Sequence, residues 1–340
     1  MNHHWISDAP RLPLGFLPTP LVPLPRLSRL LGGPRIWIKR DDCTGLATGG
    51  NKTRKLEYLL ADAEREGADA IVTFGATQSN HARQTAAACA AAGLPCHLLL
   101  ARKVSWPNPA YERSGNLLLG RLLGAQVEVV NADAMANRRR ALLDALESRG
   151  RVPYLIPVGG SNAVGAMGYA RCAMELLEQS EAAGFELTDV VHASSSAGTQ
   201  AGLLAGFAGL LADDARTRPL VHGINVSEPE PDAVGREVRR IADAVIERQG
   251  LSVSIGEDEV RVDHRFLGPG YGLPDQATLD AIRLLARTEG ILLDPVYSGK
   301  AFAALSARVR GGEFANRRDL VFLHTGGSAA LAVYDDAFSA

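Results

Sequence analysis

Short apolar runs alternate with helical stretches along almost the whole chain. Runs at Ile36 to Lys39, Ala70 to Phe74, Cys96 to Leu100, Val127 to Val130, Tyr154 to Ile156, Asp189 to Ala193, Val221 to Val226 and Leu320 to His324 predict strands. Between them, helices are predicted over Asn80 to Ala92, Pro109 to Leu123, Ala134 to Arg149, Gly165 to Ala183, Gly198 to Leu211, Pro231 to Gln249, Asp275 to Glu289 and Gly299 to Arg310. One more helix opens at Lys52, where Leu56, Leu59, Leu60 and Ala63 recur at helical spacing, with Arg54, Glu57, Asp62 and Arg65 on the opposite face. Strand, helix, strand order of this kind implies an α/β protein whose parallel sheets are covered on both faces. Glycine and proline cluster at Pro157 to Asn162, which suggests a boundary between domains. In open parallel sheets ligands bind beyond the carboxyl ends of the strands, so the loops after each strand are the places to look for chemistry.

Composition narrows the field. The 340 residues suffice for about two domains, and 46% hydrophobic with 22% charged residues describes a globular chain with a large core. Basic and acidic residues number 36 and 38, so no nucleic-acid or membrane surface is expected and the partner is a small molecule. Cys43, Cys89, Cys96 and Cys172 lack the paired spacing of a zinc site and the density of a disulfide scaffold. They read as core residues of a reducing compartment. The lead, Met1 to Pro25, carries six prolines and no basic segment followed by an apolar run, so it reads as neither signal peptide nor membrane span, and a cytoplasmic location is expected. The histidines form no i, i+4 pair, and no metal is expected.

Six loops carry candidate chemistry. Gly49-Gly50-Asn51-Lys52 sets a lysine in the first turn of a helix, where the positive end of the dipole disfavours its charge and favours a nucleophilic amine. An ordinary turn with a solvated lysine is the alternative. A nucleotide-phosphate loop is a third reading, but Asn51 intervenes between the second glycine and the lysine and puts the amides out of register. Gly75 to His81 follows a strand and opens a helix, so its amides with Ser79 and Asn80 suit a carboxylate, or simply cap the helix. Ser194 to Gly202 does the same with hydroxyls and small residues and suits a phosphate dianion, or close helix packing. Tyr271 and Tyr297 sit in loops bounded by glycine and proline, where an aromatic ring stacks on a planar ligand, passes protons, or packs. The last strand ends in His324-Thr325-Gly326-Gly327-Ser328, a further small polar turn.

In this order the loops are the parts of a pyridoxal-phosphate site. The chain resembles the tryptophan-synthase-β-like enzymes, in the subgroup of aminocyclopropane-carboxylate deaminase and D-cysteine desulfhydrase, from about Leu17 to Tyr334. The resemblance is carried by Gly49 to Glu57, Gln78-Ser79-Asn80-His81, Asp294-Pro295-Val296-Tyr297 and His324-Thr325-Gly326-Gly327. It implies two doubly wound α/β domains, the smaller (49–162) inserted into the larger (1–48 plus 163–340), with pyridoxal 5'-phosphate in the cleft and a homodimer. It implies that Lys52 carries the cofactor as a Schiff base and that Asn80 bonds the 3-hydroxyl oxygen. Ser196, Ala197, Gly198 and Thr199 would line the phosphate, Gln78 and Ser79 would meet the substrate carboxylate, and Tyr271 and Tyr297 would flank ring and substrate.

Two positions bear on the reaction. The deaminase carries a glutamate after its DPVY motif and a leucine after the final histidine, whereas this chain has Ser298 and Thr325. A neutral hydroxyl beside the pyridine nitrogen cannot keep it protonated, which opposes cyclopropane opening and suits expulsion of a good leaving group. The reading is therefore β-elimination with Lys52 as general base, giving pyruvate and ammonia, with D-cysteine as substrate. L-Cysteate sulfo-lyase is the rival, because its members resemble this chain at Asp42 to Thr48 and Gly198 to Gly202, and Ser194 and Ser195 would contact a sulfonate.

Overall fold

The computed structural model describes residues 3–230 and 232–339; Pro231, where one expected helix begins, and Met1 lie outside the described residues. Two sheets divide the strands. The larger holds β1 (Leu21–Pro23), β2 (Arg35–Arg40), β7 (Asp189–Ser194), β8 (Leu220–Asn225), β9 (Arg261–Asp263) and β10 (Asp319–His324) in the order β1-β2-β10-β7-β8-β9. The smaller holds β3 (Ala70–Ala76), β4 (Cys96–Arg102), β5 (Gln126–Asn131) and β6 (Pro153–Ile156) in the order β5-β4-β3-β6. Every pair is parallel except β1 with β2. Pro23 ends that antiparallel edge strand, a position where a missing N–H costs no ladder bond.

Apolar cores lie on both faces of each sheet. The Ala163–Ala182, Gly198–Leu210 and Ala233–Arg248 helices cover one face of the larger sheet, and the Pro25–Leu31, Gln276–Glu289 and Ser298–Arg310 helices the other. The chain is thus an α/β protein of two doubly wound layers, as the alternating pattern predicts. β1, β9 and the Pro25–Leu31 helix were not anticipated, being short and, in the first and last cases, set among prolines.

Two local departures matter for the site. The expected helix Pro109 to Leu123 breaks into a 3-10 turn, Pro109–Glu112, and a helix, Gly115–Leu122, with Gly115 at φ +58°. A Cβ on Gly115 would stand 2.6 Å from Gln78 Oε1, so the break makes room for that side chain. The Lys52–Arg65 helix, expected to show a polar face to solvent, does so only at its far end, where Arg65 is exposed, and is buried on both sides from Thr53 to Leu60. Leu56, Leu59, Leu60 and Ala63 join the core of the smaller sheet, while Tyr58 joins that of the larger. Arg54 and Glu57 are buried because the larger layer and the N-terminal lead cover them: Glu57 Oε1 accepts from Leu14 and Gly15 N–H at 2.9 and 3.0 Å.

Candidate active site

The turn ahead of Lys52 is built for glycine. A Cβ on Gly49 would lie 1.9 Å from Asp42 O, and one on Gly50 2.6 Å from Gln84 Nε2. Gln84 Oε1 accepts from Lys52 and Thr53 N–H, each at 3.1 Å, so a side chain from the next helix caps this one, and Asn51 N–H donates to Thr325 O at 3.0 Å. Lys52 is thereby held between the two sheets, on the wall of a cleft of about 850 Å³. That volume lies within the usual range for cofactor sites. Burial lowers the Lys52 amine to about 8, against a hydrogen bond with Lys55 that raises it. Burial, which the sequence did not reveal, is thus a cause of a reactive amine additional to the helix end.

The anion site forms at the start of the Gly198–Leu210 helix. Ala197 holds φ +66°, a strained conformation that turns the chain into the helix. Ser161 Oγ donates to Ser196 Oγ at 2.8 Å, and Asn51 Nδ2 to Thr199 Oγ1 at 3.2 Å. Gly198 forms the floor, where a Cβ would stand 2.7 Å from Ser161 Oγ and 2.9 Å from Lys55 Nζ. Lys55 was missed by sequence reasoning, although its place one turn after Lys52 is a usable signal. Its amine is buried, donates to Gly159 O (3.2 Å) and Ser161 Oγ (3.1 Å), and is pushed well below its usual pKa by burial and by the charge and hydrogen bond of Lys52. No carboxylate among the described residues pairs with this amine, so an anion beside it would restore its charge, and a phosphate on the open helix start supplies one. The residues present therefore fit pyridoxal phosphate.

On the opposite wall, Ser79 Oγ caps the Asn80–Ala92 helix by accepting from Ala82 N–H at 3.1 Å, which leaves its own proton to donate. Asn80 Oδ1 accepts from Asn116 Nδ2 at 2.9 Å, so its Nδ2 is the group left for a ligand. His81 also lines the cleft; burial holds its ring neutral, and Nε2 lies 2.7 Å from Thr73 Oγ1. Tyr271 and Tyr297 close the cleft, their hydroxyls 2.6 Å apart and their rings tilted at 65°. Burial raises both phenols, Tyr297 the more, and holds them protonated. Lys300 Nζ steadies the Tyr271 loop by donating to Leu267 O and Gly270 O, each at 2.7 Å.

Lys52, Ser79, Asn80, Ser196, Ala197, Thr199, Tyr271, Tyr297 and Thr325 thus share one cleft. Three expected residues do not line it, and one of them, Gly198, packs against Ser161 and Lys55 at the helix start. Gln78 turns its amide away: Nε2 donates to Tyr111 O (2.6 Å) and Ser114 O (3.0 Å), and Oε1 accepts from Asn116 N–H (2.9 Å), so nothing is left for a carboxylate. Ser298 Oγ points into its own loop, 2.6 Å from Asp294 Oδ1 and 3.2 Å from Gly326 O.

Two parallel-sheet layers meeting at a cleft with a desolvated lysine and an anion cup define a pyridoxal-phosphate-dependent enzyme. The chain belongs to the pyridoxal-phosphate dependent enzyme family, whose model matches residues 12–326. It is 44% identical over 335 residues to 1-aminocyclopropane-1-carboxylate deaminases of Burkholderia vietnamiensis and Burkholderia cenocepacia, covering 97% of this chain and 97% of each relative. A crystal structure of an ACC deaminase homologue superposes with TM-score 0.86 at 35% identity, covering 98% of this chain and 97% of that one. A hydrogen sulfide-producing enzyme from Fusobacterium nucleatum shares the fold at TM-score 0.63 and 16% identity, over 97% of this chain and 99% of that one.

Proposed function

We propose that the protein is a carbon-sulfur lyase that takes an amino acid apart by β-elimination, with D-cysteine as substrate and hydrogen sulfide, pyruvate and ammonia as products. The observation that carries this reading is that, among the described residues, no acid with a free oxygen stands at the Thr325 end of the cleft. Asp294, the carboxylate beneath it, is fully buried and accepts from Val296 and Tyr297 N–H on one oxygen and from Ser298 N–H and Oγ on the other. Four donors leave it nothing to offer a ring nitrogen, and at that end Thr325 and Gly326, not Asp294, line the cleft.

When bound, pyridoxal phosphate supplies an electron sink for the pair left at Cα. Lys55 with Ser196, Ala197, Gly198 and Thr199 would hold the phosphate, and Asn80 Nδ2 would donate to the ring oxygen. Ser79 Oγ donates to the substrate carboxylate. The Lys52 amine takes the Cα proton, the Cβ–S bond breaks as that electron pair forms the Cα–Cβ double bond, and the Tyr271–Tyr297 pair hands a proton to the departing sulfur. The released enamine hydrolyses to pyruvate and ammonia. For L-cysteate, Ser194 Oγ donates to Gln200 Oε1 at 2.9 Å and so is not free for a sulfonate, whereas Ser195 Oγ accepts from Ser227 Oγ at 2.7 Å and keeps its own proton to donate.

The 44% identity to the Burkholderia deaminases favours cyclopropane opening as the second reading. A panel of D-cysteine, L-cysteine, L-cysteate and 1-aminocyclopropane-1-carboxylate separates them. D-Cysteine is expected to give the highest kcat/KM, with sulfide and pyruvate in equal amounts. Faster release of the four-carbon 2-oxo acid from the cyclopropane, or of sulfite from L-cysteate, would replace this reading by the corresponding rival.

We further propose residues 49–162 as the inserted domain and 1–48 with 163–340 as the other, since no strand of either sheet pairs with the other. A homodimer in the cytoplasm completes the reading. The four free cysteines agree with a reducing compartment, and among the described residues no helix is long and apolar enough to cross a membrane. Sedimentation velocity should give a species of twice the chain's mass; a single species of 36.1 kDa would refute the dimer.

A further inference from the structure

Arg83 is 1% exposed, yet no carboxylate among the described residues pairs with it. Its partners are neutral: NH1 donates to Ala47 O and, at 3.0 Å, to Gly49 O, and Nε donates to Asn116 Oδ1 at 2.9 Å, while NH2 has no partner. A guanidinium only donates, so the side of Asn116 that meets it must be oxygen. Asn116 Nδ2 then faces the other way, 3.1 Å from Gln78 O and 2.9 Å from Asn80 Oδ1. A backbone carbonyl only accepts, so the relay is stopped at both ends and has one orientation. Asn80 must put its oxygen toward Asn116 and its NH2 on the cleft wall.

We infer that Arg83 and Asn116 are positioning residues that set the polarity of the Asn80 amide, so that the cleft offers a donor to the cofactor's ring oxygen. The inference rests on the pyridoxal-phosphate reading and deepens it. An aspartate at position 116 would give the buried guanidinium its missing counter-charge, yet could not donate to Asn80. The neutral amide forgoes that ion pair and keeps the donor. The same guanidinium holds the turn that launches Lys52, where Ala47 and Thr48 stand at φ +42° and +70°. One buried cation thus ties both arms of the site together.

Asn116→Asp separates polarity from packing. The apo variant should melt at or above the wild-type temperature, because Arg83 gains a carboxylate. Pyridoxal phosphate, titrated by absorbance into apo protein, should bind about tenfold or more weakly, roughly one well-made hydrogen bond turned into a repulsion. Its visible maximum should shift, since the ring oxygen loses its donor. Wild-type affinity and an unchanged spectrum in Asn116→Asp would overturn the inference. Should that variant misfold, Arg83→Lys against Arg83→Met decides. Lysine, still donor-only, should keep the affinity within about threefold and methionine lose about tenfold; equal affinities would overturn it. A wild type that does not bind pyridoxal phosphate at all would instead sink the cofactor reading beneath it.

Discussion

Lys52→Ala is expected to lower pyruvate formation by about a thousandfold or more, since the change removes both the covalent anchor and the base that takes the Cα proton. The fold should survive, because Lys52 is half-buried on the cleft wall and the bonds holding its helix start come from backbone N–H groups to Gln84 and from Asn51 to Thr325. The apo protein offers a second readout. The Lys52 amine is lowered to about 8 by burial, with the Lys55 hydrogen bond opposing, whereas an unfolded lysine keeps its proton up to about 10.4. Between those values the unfolded chain binds a proton that the folded chain has released, so wild-type stability gains with rising pH over that window. Lys52→Ala should lack that gain when melting temperatures of the two apo proteins are compared from pH 7 to 10. Turnover near the wild-type rate would remove Lys52 from the mechanism, and parallel melting curves would show that its amine is not desolvated.

Much of the fold is legible in the sequence because in α/β proteins each element is punctuated locally. The strand, helix, strand rhythm needs only apolar runs and glycine turns, and the start of the Asn80–Ala92 helix is marked by Ser79, whose hydroxyl caps it. The same holds for the loops that meet in the cleft, since an anion site at a helix start is written in consecutive residues. Side-chain direction is not. Gln78 and Ser298 sit in the right loops, but their orientation is decided by partners far away in the chain or by saturation of a neighbouring carboxylate, as with Tyr111, Ser114 and Asp294. Lys55, Asn116 and Arg83 escaped notice for the converse reason: each looks like an ordinary helix residue until a second layer buries it. Helical periodicity gives Arg54 and Glu57 to solvent, since the pattern of one helix cannot report that a second sheet and the N-terminal lead close over its polar side.

That second layer makes Arg54→Ala the substitution with the largest expected effect on stability. Arg54 is fully buried and grips Asp41 through Nε and NH2, each at 2.8 Å, and Glu175 through NH1 and NH2 at 2.9 and 2.8 Å. Lys39 completes the cluster at 2.7 Å from Glu175, so two cations balance two carboxylates, with Thr19 also bonded to Asp41 at 2.8 Å. Such a group is weak evidence of net stabilisation over an apolar core, but removal of one member leaves a buried charge unpaired and costs about 3–5 kcal/mol. At roughly 2–4 °C per kcal/mol for a chain of a few hundred residues, the melting temperature should fall by about 6 °C or more. Burial alone would raise the Asp41 carboxyl; the Arg54 guanidinium outweighs it and holds the group below the usual carboxylate range. In the wild type this contribution is present above the unfolded carboxylate pKa and is lost as pH falls through the folded one. Without Arg54 the balance reverses, the carboxyl climbs above its unfolded value, and acidification from pH 7 toward 5 should narrow the gap between variant and wild type. Adding Asp41→Asn to Arg54→Ala should recover part of the loss at pH 7, since it removes the stranded charge. A double variant no more stable than Arg54→Ala, with a gap that does not change with pH, would mean that the loss comes from packing rather than charge.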